Sequence, residues 1–175
     1  MFKFITTALA LVMINSLHAQ VDSNSVHVKD IRDYIQRIDS IIGQRMGKTL
    51  TESISEGPIS AKHDDKIYKG GYTLHTIETF RGDSVFRIVH HDNLDKNRTE
   101  TFYLRNNKLV FASIDLQDNP NTSLYRREEY YQPGKDKPIV SVLVKDELPE
   151  EDLWRVEYSL QKKFTQTLEF SGKKL

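Results

Sequence analysis

Between residues 48 and 145 the chain breaks into short runs rich in Val, Ile, Thr, Phe and Tyr, and turn residues close each run. That punctuation restricts the fold more than any other feature, because such runs are strands and short links between them force antiparallel neighbours. Residues 49–55, 72–80, 84–91, 99–105, 108–117, 123–132 and 138–145 read as strands. Glu56-Gly57-Pro58 is expected to close the first, residues 61–66 to form a loop, and Gly70-Gly71 to mark a tight turn or a bulge. Arg81-Gly82-Asp83, Asn106-Asn107, Asp118-Asn119-Pro120-Asn121 and Pro133-Gly134-Lys135-Asp136 supply later connections. The expected core of this meander includes Phe86, Ile88, Phe102, Leu104, Val110, Ile114, Val142 and Val144.

Helical spacing appears at both ends. Ile31, Tyr34, Ile35, Ile38, Ile41 and Ile42 form one apolar stripe, with Ser25 as the expected N-cap and Gly43 as the stop. In the C-terminal segment Trp154, Val156, Tyr158 and Leu160 alternate with polar residues as on a strand, yet Val156, Leu160, Phe164 and Leu168 make a helical row. Pro149 followed by Glu150-Glu151-Asp152 is a favourable helix start, so a helix over residues 150–167 is preferred. The fold class is therefore α+β: an N-terminal helix, an antiparallel β-meander of six or more strands, and a C-terminal helix. An all-β meander barrel is the alternative if residues 153–168 are extended.

Three hairpins repeat one scheme of aromatic residue, turn and β-branched strand. They run Thr79-Phe80-Arg81-Gly82-Asp83-Ser84-Val85-Phe86, then Tyr103-Leu104-Arg105-Asn106-Asn107-Lys108-Leu109-Val110, then Tyr130-Tyr131 through Pro133-Gly134 to Pro138-Ile139. In these the chain resembles small exported bacterial proteins of uncharacterised function, whose strands carry a Tyr-Phe-x-Asn-Gly-Lys-Leu hairpin. The resemblance spans residues 72–139. Asn107 stands where glycine is usual. The resemblance implies a fold type and brings no catalytic residues with it.

Residues 1–19 have the layout of a cleavable signal peptide. Lys3 is the positive n-region, residues 4–14 are apolar apart from Thr6 and Thr7, and cleavage is expected between Ala19 and Gln20. The apolar run is too short for a hydrocarbon core that needs about 20 residues. Residues 20–175 then form one globular domain, secreted to the periplasm or beyond the cell and not inserted in the membrane after cleavage. Removal of the signal takes away only Lys3, leaving 24 basic against 25 acidic residues, a net charge of −1. Nothing in that balance attracts nucleic acid. The sequence has no cysteine, which removes thiol chemistry, disulfides and cysteine-ligated metals together.

Chemistry-bearing motifs are sparse. His63, His75, His90 and His91 show no one-face metal spacing, and adjacent His90 and His91 must point to opposite faces of a strand. They read as solvated histidines, and no metal or other cofactor is expected. Glu128 and Glu129 likewise diverge, so they do not form a glycosidase pair. The most unusual stretch places Tyr125, Arg127, Glu129 and Tyr131 on one strand face, a composition enriched at interfaces. From it comes the expectation of an exported, non-catalytic interaction domain, with an inhibitor or immunity-like role for an unknown protein or envelope component. The alternatives are a β-barrel carrier of a small apolar ligand and a hydrolase with a dispersed active site.

Overall fold

The computed structural model describes residues 3–119 and 122–170, with side chains from Asn24 onward. Seven strands form one antiparallel sheet in strictly sequential order: β1 (Leu50–His63), β2 (Lys66–Thr79), β3 (Val85–Asp92), β4 (Asn97–Arg105), β5 (Lys108–Asn119), β6 (Thr122–Tyr130) and β7 (Val140–Asp146). The sheet stays open, with β1 and β7 at its edges. A long helix, α1 (Lys3–Arg45), covers one face. The other face is covered by a short 3₁₀ helix (Glu150–Arg155) and by α2 (Leu160–Phe170). The α+β meander stands, and the closed barrel does not.

Each sheet face has its own core. Ile31, Tyr34, Ile38 and Ile42 of α1 pack on Ile77, Tyr103, Val110, Phe111 and Tyr130. On the far side Val156, Leu160 and Phe164 pack on Leu74, Ile88, Phe102, Ala112 and Ile114. Tyr34 also donates its hydroxyl to the Leu104 carbonyl, pinning the helix to the sheet backbone.

Several local expectations are corrected. α1 passes through Ser25 without a break because residues 3–42 contain neither Gly nor Pro, so Ser25 does not stand at a helix N-terminus. It also runs past Gly43 and stops where Gly47 adopts φ +74°. The segment Glu56-Gly57-Pro58 closes no strand: it lies inside β1, opposite Thr73, Tyr72 and Gly71. An edge strand tolerates a proline that donates no ladder bond. Residues 61–66 are therefore strand apart from a two-residue turn at Asp64-Asp65, and Gly70-Gly71 lies inside β2. Of the expected core, Phe86 and Val142 are half-buried, and Val144 is exposed because a bulge opposite Arg126 and Arg127 displaces it.

Residues 150–167 are not one helix. The 3₁₀ helix ends at Arg155, and residues 156–159 link it to α2. The physical reason lies in the sheet: Arg98 Nη1 donates to the Arg155 carbonyl at 2.9 Å, and Arg127 Nη2 to the Tyr158 carbonyl at 2.8 Å. Those two guanidinium groups anchor the linker between the helices to the sheet. Ser159 then restarts the helix, its Oγ accepting from Lys162 N.

The Asn106-Asn107 turn is as expected, with φ values of +53° and +60°. Asn107 does more than turn. Its Oδ1 accepts from Val85 N and its Nδ2 donates to the Asp83 carbonyl, both at 2.9 Å, tying this hairpin to the preceding one. Glycine at that position would have no side chain to do so. Pro120 and Asn121, expected in the β5–β6 turn, lie outside the described residues. The backbone runs helical through Ala19 and Gln20, whose side chains lie outside the described set.

Candidate functional site

Register alone brings the site together. Leu74, His90, Glu100, Ile114 and Arg127 are successive cross-strand partners on the face under α2. One row along that face are Tyr72, Asp92, Arg98, Leu116 and Tyr125. Four charged residues, Glu100, Arg127, Asp92 and Arg98, thus enter rows otherwise shared with core side chains, and Glu100 and Asp92 are 0 % and 1 % exposed. Burial on that scale demands partners.

The partners are present. Glu100 receives His90 Nδ1 at 2.8 Å through one oxygen and the Tyr158 hydroxyl through the other, with Lys163 Nζ at 3.7 Å. Asp92 takes Arg98 through both Nε and Nη2, at 2.9 and 2.6 Å. Burial works to raise the Glu100 pKa, but the His90 hydrogen bond, Lys163 and Arg98 outweigh it and hold the carboxyl below its usual range. Tyr158 moves the other way: burial first, then the Glu100 charge, push its phenol well above normal. A carboxylate that only accepts fixes the proton of His90 on Nδ1. The other nitrogen, Nε2, has no hydrogen-bond partner among the described residues.

Nε2 belongs to a residue that lines a cleft. A hollow of about 460 Å³ lies between the β1–β2 hairpin and α2, bordered by Pro58, Ile59, Tyr72, Leu74, His90 and Phe170. Lys163, Gln166 and Thr167 complete the α2 wall at helical spacing, with Glu56 on the β1 side. Tyr72 stacks along the His90 ring and meets Phe170 edge-on at 5.3 Å between centroids. Gly57 leaves space for the Tyr72 ring, which would stand 3.1 Å from a side chain at that position. Gly70 meets the Asn93 backbone more closely still, and Gly71 N donates to Asn93 Oδ1 at 2.6 Å. These glycines let the hairpin run beyond β3, which pairs with β2 only from Tyr72 onward. Its tip rests on the 3₁₀ helix, with His63 stacked on Trp154 at 4.6 Å and Arg155 over Tyr68 at 4.8 Å.

A second hollow, about 490 Å³, separates α1 from the sheet. Its charged groups already hold one another: Arg32 with Tyr130, Arg126 with Glu128, Asp39 with Arg87 and Tyr103. The cleft under α2 differs in that His90, which lines it, makes its bond within the described residues through Nδ1 alone.

The chain matches no protein-family model, no curated protein and no solved structure. The site therefore rests on its own geometry.

Tyr125, Arg127, Glu129 and Tyr131 do lie on one face, but that face is covered. Tyr125 and Tyr131 are 7 % and 0 % exposed, and Glu129 accepts the Tyr131 hydroxyl and pairs with Arg127 at 3.1 Å. They hold the C-terminal segment down. His90 is likewise buried, not solvated, while His91 on the opposite face bonds Thr99. His63 and His75 sit elsewhere, against Trp154 and Glu52. Glu100, Asp92, Arg98, Tyr158 and Lys163 were not anticipated from the sequence. One sign was available: Glu100 shares strand parity with Phe102 and Leu104, and a charge on a core parity is informative.

Proposed function

We propose that the chain is an exported binding domain and that its ligand is a small molecule seated between the β1–β2 hairpin and α2. The observation that carries this reading is the apolar cleft of about 460 Å³ with His90 among its lining residues. Ligand sites combine apolar walls with a few oriented polar groups, commonly in volumes of about 300–1,000 Å³. Glu100, Tyr158, Asp92 and Arg98 orient the polar groups, which a purely structural cleft does not require. The interaction-domain reading loses its proposed face, since Tyr125 and Tyr131 lie beneath the C-terminal segment. The carrier reading survives without a barrel, as an open sheet whose overhanging hairpin supplies the missing wall.

Native mass spectrometry of protein purified from the cell envelope tests this. The expected result is a co-purifying small molecule that a Leu74→Trp variant, filling the cleft, no longer retains. Leu74 is 3 % exposed and lines the cleft, so the variant is compared only if its unfolding remains cooperative. Equal retention by both proteins would remove the cleft from consideration.

A further inference from the structure

We infer that the ligand is an apolar carboxylic acid, its carboxylate held jointly by Lys163 and His90 while its hydrocarbon part lies along Pro58, Ile59, Tyr72 and Phe170. This rests on the cleft being the ligand site. Lys163 approaches Glu100 at 3.7 Å, outside hydrogen-bond distance, so its ammonium protons remain available to the cleft. His90 is 7 % exposed, lines the hollow, and bonds Glu100 through Nδ1, with no described residue bonded to Nε2. The two groups lie on the same wall-and-floor corner, Lys163 from α2 and His90 from β3, and both line the hollow. A carboxylate has two oxygens to offer two donors.

Binding should consequently take up a proton. Neutral His90 presents a lone pair at Nε2, which repels a carboxylate, whereas the imidazolium donates to it. The groups facing His90 are Glu100 and Asp92 in the sheet, Lys163 on α2, Tyr72 on β2 and Glu56 at the cleft margin. Glu56 belongs to β1, across the cleft from α2, and places a negative charge away from the Lys163 corner, so the acid enters in one orientation.

Calorimetric titration of the mature protein with octanoate, 1-octanol and octylamine separates the outcomes. Octanoate is expected to bind at least tenfold more tightly than octanol at pH 6 and to weaken as pH rises to 8. Octanoate titrations in buffers of different ionisation enthalpy should show proton uptake. Lys163→Met should lower octanoate affinity about tenfold and leave octanol unchanged, while Lys163→Arg restores it. His90→Gln should abolish the pH dependence, and its unfolding curve establishes that it is folded. Octanol binding as tightly as octanoate would overturn the carboxylate assignment and leave the cleft as the ligand site. Octylamine binding most tightly would overturn it in favour of Glu56. Failure of all three to bind would overturn both readings.

Discussion

Glu100 is a carboxylate with 0 % exposure, stabilised by His90, Tyr158 and Lys163. Removing its charge strands those partners in a dry environment. Glu100→Gln is expected to cost about 3–5 kcal/mol, as breaking a buried charge pair does, and urea denaturation at pH 7 measures it. The pH dependence has a definite sign. The folded-state pKa is depressed, so the stabilisation is present above the ordinary value of 4.5 and is lost as pH falls below it. The gap between wild type and variant should narrow across that window. Gly70 gives a second contrast at this scale. A Cβ there would sit 2.7 Å from the Asn93 carbonyl oxygen, whereas at Gly71 the nearest atom is 3.6 Å away. Gly70→Ala should destabilise by about 1–3 kcal/mol through overpacking, while Gly71→Ala should be near neutral, both read from thermal unfolding. Parity made Glu100 legible in the sequence. Lys163 and Tyr158 were not, because nothing local to residues 156–164 says that this segment lies over His90.

The helical stripe of α1 and the meander were readable as elements because their signals are local: Ile31, Tyr34, Ile38 and Ile42 recur on one face, and Asn106-Asn107 makes its own turn. Ile38 is 5 % exposed in the core under α1 and Gln36 is exposed. Ile38→Asp should therefore abolish cooperative unfolding or lower the midpoint severely, and Gln36→Asp should leave it within about 0.5 kcal/mol of wild type. The hairpin β1–β2 was misread because glycine and proline normally punctuate, and only its edge position makes them tolerable. The C-terminal segment was misread for a different reason. Its helix is interrupted by side chains from distant strands, as with Arg127 and the Tyr158 carbonyl, 31 positions apart. Arg127→Met removes that tether. Amide exchange across residues 156–170 should then accelerate more than exchange in β4 and β5.

For the whole molecule, the open sheet buries both faces with elements drawn from opposite ends of the chain. α1 contributes its described core residues from Ile31 onward, downstream of the expected cleavage between Ala19 and Gln20. Processing there would shorten the helix and keep every one of Ile31, Tyr34, Ile38 and Ile42. Intact-mass measurement of the protein purified from its native cells should give a chain beginning at Gln20, and a mass retaining residues 1–19 would reject the leader reading. The sequential strand order also sets a timetable for a chain that emerges N-terminus first. Each hairpin can close as soon as its second strand appears, since every sheet neighbour is the next strand in the chain. α1 cannot. Its Arg32 contact with Tyr130 spans 98 residues, and its Tyr34 contact with Leu104 spans 70. An element made before the whole sheet is thus among the last to dock, and until β6 arrives its isoleucine stripe is open to any holding chaperone that meets the chain.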